Sequence, residues 1–267
     1  MKELIVRGIS GVLYITIIVF AMFASREWFL LLFFILGILT LKEFQKLVHL
    51  NSYYSYPIFG LLFYFFGYKV IDVNPIYLYA IIAIFINLFL MKDLLITSKI
   101  PMFEKKKYIT LICYLMAGFV FLALIPFRNG QFYPKTIVGI FILIWVNDSF
   151  AYLVGKNFGK HKLLERISPK KTKEGFIGGF IATLIASFFI FRYEQNLGVA
   201  VWAMLGIIVT ILGTFGDLIQ SKFKRQAGVK DSGTLMPGHG GIYDRLDSIV
   251  YVSPFIYSFL EVVDYVS

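Results

Sequence analysis

The sequence predicts an all-α, polytopic integral membrane protein of about nine transmembrane helices, its N-terminus in the cytoplasm. Three observations carry that reading. Of the 267 residues, 58% are hydrophobic and only 16% charged, with a mean hydropathy of +0.76; soluble domains carry about 25% charged residues. Apolar stretches of about 20 residues, the length that crosses a bilayer, recur from end to end. Basic residues also alternate in density: 21 of the 26 Lys and Arg lie at the N-terminus and on the even-numbered connections, which places those connections in the cytoplasm. The same figures exclude a disordered chain, a coiled coil and a soluble enzyme.

The first candidate span, 4–24, has no small-residue cleavage pattern and is followed at once by another, so it reads as a span and not a signal peptide. The second, 27–47, is built on the unbroken run WFLLLFFILGILTL at 28–41. The third, 54–71, is interrupted by glycines and Lys69; the fourth, 75–91, is as clear as the second. The fifth, 108–127, holds Cys113, the single cysteine, which can form no internal disulfide. The sixth to ninth are 134–154, 175–192, 197–220 and 246–264, which puts the C-terminus outside. Residues 1–130 have short connections and read as a scaffold with possible dimer contacts. Residues 131–267 hold two long cytoplasmic loops, 155–175 and 221–243, and should carry the chemistry.

Three carboxylates sit near the cytoplasmic ends of spans: Asp148 in WVNDSFAYLVG, Asp217 in GTFGDLIQSKFKR and Asp244 in HGGIYDRLDS. A charge at the bilayer centre costs roughly 2.5–3.5 kcal/mol on insertion scales, so such groups normally meet water, an ion or a partner. Gly213, Asp217, Gln220, Ser221 and Lys224 form a polar stripe at helical spacing. Asp244 and Asp247 share the first turn of span nine, where they suit the helix dipole or a Mg²⁺ ion, which takes one or two carboxylates plus substrate phosphates.

The loop 221–243 sets Lys222, Lys224, Arg225 and Lys230 before a Pro-Gly turn and His239, Gly240 and Gly241. Glycines let backbone N–H groups approach phosphate closely, and the cations neutralise it. The loop 155–175 carries seven Lys and Arg. In it, Ser168 and Pro169 read as a helix N-cap and first residue, where a phosphate would also meet Lys170, Lys171 and Lys173. The net charge of +10 is therefore not a nucleic-acid signal, and the aromatics suit membrane interfaces. Three histidines without an HExxH pattern argue against a zinc enzyme.

The stretch SKFKRQAGVKDSGTLMPGHGGIYDRLD, Ser221 to Asp247, resembles the signature of phosphatidate cytidylyltransferases (CDP-diacylglycerol synthases). NDSFAY at 147–152, Gly155, FGKHKL at 158–163, SPKKT at 168–172, Glu174, Gly175, Gly178 and Gly179 extend the likeness over about residues 145–250. Met236 replaces a branched aliphatic and Lys173 an aromatic. The resemblance implies that CTP and phosphatidate react to give CDP-diacylglycerol and pyrophosphate. It implies Mg²⁺ held by Asp217 and Asp244, a second cation such as K⁺, and a homodimer in the inner (plasma) membrane with its site on the cytoplasmic side.

That reaction needs no strong base, because the nucleophile is already a phosphate oxyanion. Its difficulty is repulsion between anions, so neutralisation and positioning should dominate. The roles expected on that basis put Lys224, Arg225 and Arg245 on phosphates, with Asp148 and Asp247 completing the acidic cluster or orienting cations. Lys230, His239, Gly240, Gly241 and Ser221 would cradle triphosphate, and Ser168, Lys170, Lys171 and Thr172 a second phosphate. Asp231 would pair with Lys230 on the loop. An enzyme acting on another lipid phosphate stays open. An ion-coupled transporter fits less well, since transporters show internal repeats and midplane sites.

Overall fold

The computed structural model describes Lys2–Val266 except His239, with side chains from Gly8 onward. The expectations for His239 and for the Lys2 and Arg7 side chains lie outside the described residues.

Nine helical rods run through the described residues, one for each apolar stretch. They are α1 (Lys2–Ala24), α2 (Arg26–Leu47), α3 (Ser55–Leu62, continued by the π-helical segment Phe63–Lys69) and α4 (Val73–Ile96). Next come α5 (Glu104–Thr110), which passes through π-helical Leu111–Met116 into α6 (Ala117–Leu124), and α7 (Pro134–Phe158). The last three are α8 (Lys173–Tyr193), α9 (Val199–Gln226) and α10 (Tyr243–Val266). Six rods are long and apolar enough to cross a membrane: α4, α5–α6 and α7 to α10. Gly8–Ala24 is a shorter apolar helix. The α3 rod, Ser55–Lys69, is the weakest span: it rises only about 22 Å, against a hydrocarbon core of about 30 Å.

Every residue of α6 is buried, which makes it the centre of the bundle, flanked by α2, α4 and α10. It lies close to α10 because Gly118 abuts the Val250 carbonyl. Pro254, inside α10, cannot donate to that carbonyl as a helix residue four places on normally does. Large apolar side chains such as Ile177, Ile181, Ile185 and Phe189 of α8 face outward, as a lipid-facing perimeter requires.

The connections gather by parity. At one end, Lys222 Nζ donates to the Asp93, Leu94 and Thr97 carbonyls at 2.9, 3.2 and 2.7 Å, closing the end of α4. Arg166 reaches the Leu94 carbonyl at 3.1 Å, and Lys107 the His49 carbonyl at 3.2 Å. The even-numbered connections therefore meet at this end. At the other, Arg26 donates to the Tyr68 carbonyl and lies over the Phe127 ring, and Arg128 pairs with Asp264.

Two antiparallel hairpins interrupt the helices: β1 (Phe127–Arg128) with β2 (Gln131–Phe132), and β3 (Lys162–Leu164) with β4 (Ser168–Thr172). The second corrects the expected helix start at Ser168. A residue before proline avoids the helical region, and here it pairs in a strand with Leu164. The helix begins four residues later, where the Thr172 hydroxyl caps α8 by accepting from Gly175 N at 3.1 Å.

Candidate active site

At the end where the even connections meet lies a cavity of about 730 Å³. Glycines bring its walls together. A side chain at Gly175 would strike the Ala151 carbonyl at 2.6 Å, and one at Gly179 the Asn147 side chain at 2.7 Å, so α7 and α8 can lie almost in backbone contact. Across the cavity, Gly216 lets α9 approach Tyr251 and Asp247 of α10. These crossings aim Asp148 from α7, Asp217 and Lys224 from α9, and Asp244, Arg245 and Asp247 from α10 into one space. The β3–β4 hairpin closes it with Lys162, Lys170, Lys171 and Thr172. Both segments singled out in the sequence thus line a single cavity.

Two carboxylates carry lysines. Lys171 forms an ion pair with Asp217, and Lys224 Nζ lies 2.7 Å from Asp244 Oδ1. Burial works against the charge on Lys171, but Asp217, Asp148 and Asp247 together outweigh it and hold the ammonium above the ordinary lysine value. Lys171 is therefore a fixed positive charge at neutral pH. Ser221 Oγ donates to Asp217 Oδ1 at 3.2 Å, so it braces the carboxylate instead of facing the cavity.

Asp244 is built into the loop before α10. Its Oδ1 also accepts from Gln220 Nε2 at 2.8 Å, and its Oδ2 accepts from Ser232 N at 2.8 Å and Gly241 N at 2.9 Å. Gly240 has a φ of +87°, and a side chain there would meet Asp244 Oδ2 at 2.7 Å. Gly240 and Gly241 thus serve the loop's own closure around a carboxylate. Asp231 lines the cavity, while its expected partner Lys230 is exposed.

Several expected contacts lie elsewhere. Arg225 is exposed and donates to the Val229 carbonyl at 3.0 Å. Lys230 and Ser168 do not line the cavity. Lys222 is spent on the end of α4. Of the four cations counted ahead of the glycines, only Lys224 faces the cavity.

Sequence reasoning missed Glu43 of α2, in the half read as scaffold. It is buried and accepts from Ser232 Oγ at 2.7 Å, Ile242 N at 3.0 Å and Tyr243 N at 2.9 Å. Side chains at Gly233 or Gly241 would run into its carboxylate. Around it, Phe44 meets Phe223 and Tyr243 edge-on, and the Tyr243 and Tyr114 hydroxyls lie 2.6 Å apart. The only signal in the sequence was a carboxylate just after the 28–41 apolar run, which LKEF makes look like a span end. Glu174 was likewise overlooked as an anchor: it accepts from the Lys160 and His161 amides at 3.1 and 3.2 Å and fixes the start of the hairpin.

Among the described residues no three His, Cys, Asp or Glu form a ready-made metal cage. Asp148, Asp217 and Asp247 nevertheless present carboxylate oxygens to the same cavity. Such a set suits Mg²⁺, which keeps waters and takes further ligands from phosphates. Asp244 is less available, since five protein donors already reach its two oxygens.

The chain matches the profile of the Cytidylyltransferase family over residues 5–263. It is 33% identical over 261 residues to a phosphatidate cytidylyltransferase of Bacillus subtilis (strain 168), which covers 95% of this chain and 96% of that one. It is 48% identical over 122 residues to a phosphatidate cytidylyltransferase of Staphylococcus aureus (strain COL), and over 121 residues to one of Staphylococcus haemolyticus. Those two matches span about half the length of the staphylococcal relatives, 46% of each. With the family profile running almost from end to end and a relative aligned over nearly its full length, the chain belongs to the cytidylyltransferase family.

Proposed function

We propose that this membrane protein transfers CMP from CTP to phosphatidate, yielding CDP-diacylglycerol and pyrophosphate. One observation carries the reading. Lys156, Lys162, Lys170, Lys171, Lys224 and Arg245 converge on a single cavity with five carboxylates, Asp148, Asp217, Asp231, Asp244 and Asp247, at one end of an apolar bundle. An anionic nucleotide meeting an anionic lipid needs that concentration of fixed positive charge.

In the reaction, a phosphate oxygen of phosphatidate bonds to the α-phosphorus of CTP. The bond from that phosphorus to the oxygen of the β-phosphate breaks, and pyrophosphate leaves with the electron pair. Two unit charges 4 Å apart repel by about 4 kcal/mol at an effective dielectric near 20, so the lysines act chiefly by cancelling repulsion. Lys171 and Lys224 are held in place by Asp217 and Asp244, and little reorganisation is needed when substrate arrives. Asp217, with Asp148 or Asp247, would hold a divalent cation, and Asp244 would shape the loop. A divalent cation held there would supply charge neutralisation to the triphosphate and so favour departure of pyrophosphate. The concentration of Lys and Arg on the even connections supports a cytoplasmic site. The inner membrane, the homodimer and a second cation such as K⁺ rest on the family resemblance.

Purified protein in mixed micelles, given labelled CTP, Mg²⁺ and a panel of lipid phosphates, tests the reading. The expected result is labelled CDP-diacylglycerol from phosphatidate with equal pyrophosphate. A labelled product from a prenyl phosphate alone would reassign the lipid, and no transfer to any lipid would refute the reaction.

A further inference from the structure

A second cavity, of about 190 Å³, backs onto the same wall and shares Asp148, Asp244, Arg245 and Asp247 with the larger one. The two differ in character. The larger carries five lysines, enough to meet a triphosphate. Among the residues lining the smaller, Arg245 is the one cation, beside the carboxylates of Asp148, Asp244 and Asp247, and the wall away from them is apolar, including Phe141, Ile144 and Trp145 of α7.

Its outer wall is α1, through Gly11, Tyr14 and Ile15. Ile15 is also exposed on the apolar perimeter, so the small cavity borders the surface that faces lipid. Ser10 Oγ donates to the Pro237 carbonyl at 3.0 Å, which ties this wall to the glycine loop. The Tyr14 hydroxyl is buried and has no hydrogen-bond partner among the described residues. A buried hydroxyl is almost always paired, and leaving one unpaired is costly unless a ligand meets it.

We propose that this small cavity is the subsite for the phosphomonoester head group of the lipid substrate, reached from between α1 and α7, with the Tyr14 hydroxyl donating a hydrogen bond to a head-group oxygen. The inference rests on the proposed reaction. A phosphomonoester needs fewer cations than a triphosphate, and one arginine can grip it through two parallel N–H groups. The apolar walls suit the glycerol and the first carbons of the acyl chains. Because Arg245 belongs to both cavities, a phosphate held there lies next to nucleotide bound in the larger one.

Tyr14→Phe and Ile15→Trp test the subsite in the full-length protein, in mixed micelles, with phosphatidate and CTP varied separately. Tyr14→Phe removes only the hydroxyl; Ile15→Trp adds bulk to the small cavity. Losing a hydrogen bond to a charged group should raise the KM for phosphatidate about tenfold, while the KM for CTP and the binding of labelled CTP in equilibrium dialysis stay unchanged. An unchanged phosphatidate KM in both variants, or an equal rise for CTP, overturns the subsite. Wild-type protein that binds CTP but converts no phosphatidate overturns the reaction itself, a result visible before either variant is made.

Discussion

The two connections that wall the large cavity, 159–172 and 227–242, are built in opposite ways: the first holds Lys160, Lys162, Arg166, Lys170 and Lys171, and the second follows the basic end of α9 with Lys230 alone. The first is a hairpin whose strands expose Lys162 and Lys170, while Lys171 is pinned on Asp217. It supplies charge. The second turns its own cation outward, with Lys230 exposed. Its backbone is fastened instead, by Asp244 through Ser232 N and Gly241 N and by Glu43 through Ile242 N and Tyr243 N. It supplies shape. A basic stretch beside a phosphate site is thus no guide to which of its cations touch phosphate.

The contrast predicts that damage to the fastened loop costs more than the loss of charges from the hairpin. Asp244→Asn should be the most severe change. Both carboxylate oxygens face donors, so an amide must point its NH₂ at one set and leaves Lys224 short of its counter-charge. We expect kcat/KM for pyrophosphate release to fall by about 100-fold or more. Glu43→Gln meets the same problem in the N-terminal half, and a fall of about tenfold is expected. Hydrogen exchange should quicken at the Ile242 and Tyr243 amides. Unchanged exchange there would remove Glu43 as an anchor.

Hairpin variants should be milder and should act on binding. Lys171→Met should raise the KM for CTP about tenfold, as loss of one fixed, partly buried charge implies. Lys162→Ala and Lys170→Ala, both exposed, should raise it about two- to threefold at low ionic strength, an effect that added salt erases. Arg225→Ala should be smallest, within about 0.5 kcal/mol in both stability and catalysis. A large effect of Arg225→Ala on kcat/KM would show that the loop closes inward when substrate binds.

Much of the architecture was legible. Each of the nine apolar stretches became a rod, and the even connections met at one end, as the distribution of Lys and Arg implied. The two site segments were found from polar residues inside apolar helices, because such residues are expensive unless used. Individual roles were harder. Lys222 and Lys224 stand two places apart in one run, yet about 200° apart on a helix; one closes α4 and the other reaches Asp244. The Ser-Pro pair looked like a helix start because both residues favour that position, but tertiary pairing with β3 held it extended.

Hydrophobic length, the sign of charge along the chain and the positions of glycines are local properties, and they were enough to establish an all-α membrane bundle and to point to the C-terminal half for its site. The phase of each helix, and what meets across the bundle, depend on packing between distant segments. Glu43 reaches Ser232 across 189 residues and Tyr243 across 200, and Tyr14 faces an arginine-bearing cavity formed mostly by α7 and α10. No periodicity within α1 or α2 announces either contact, because the partner that gives each polar group its meaning is supplied by another helix.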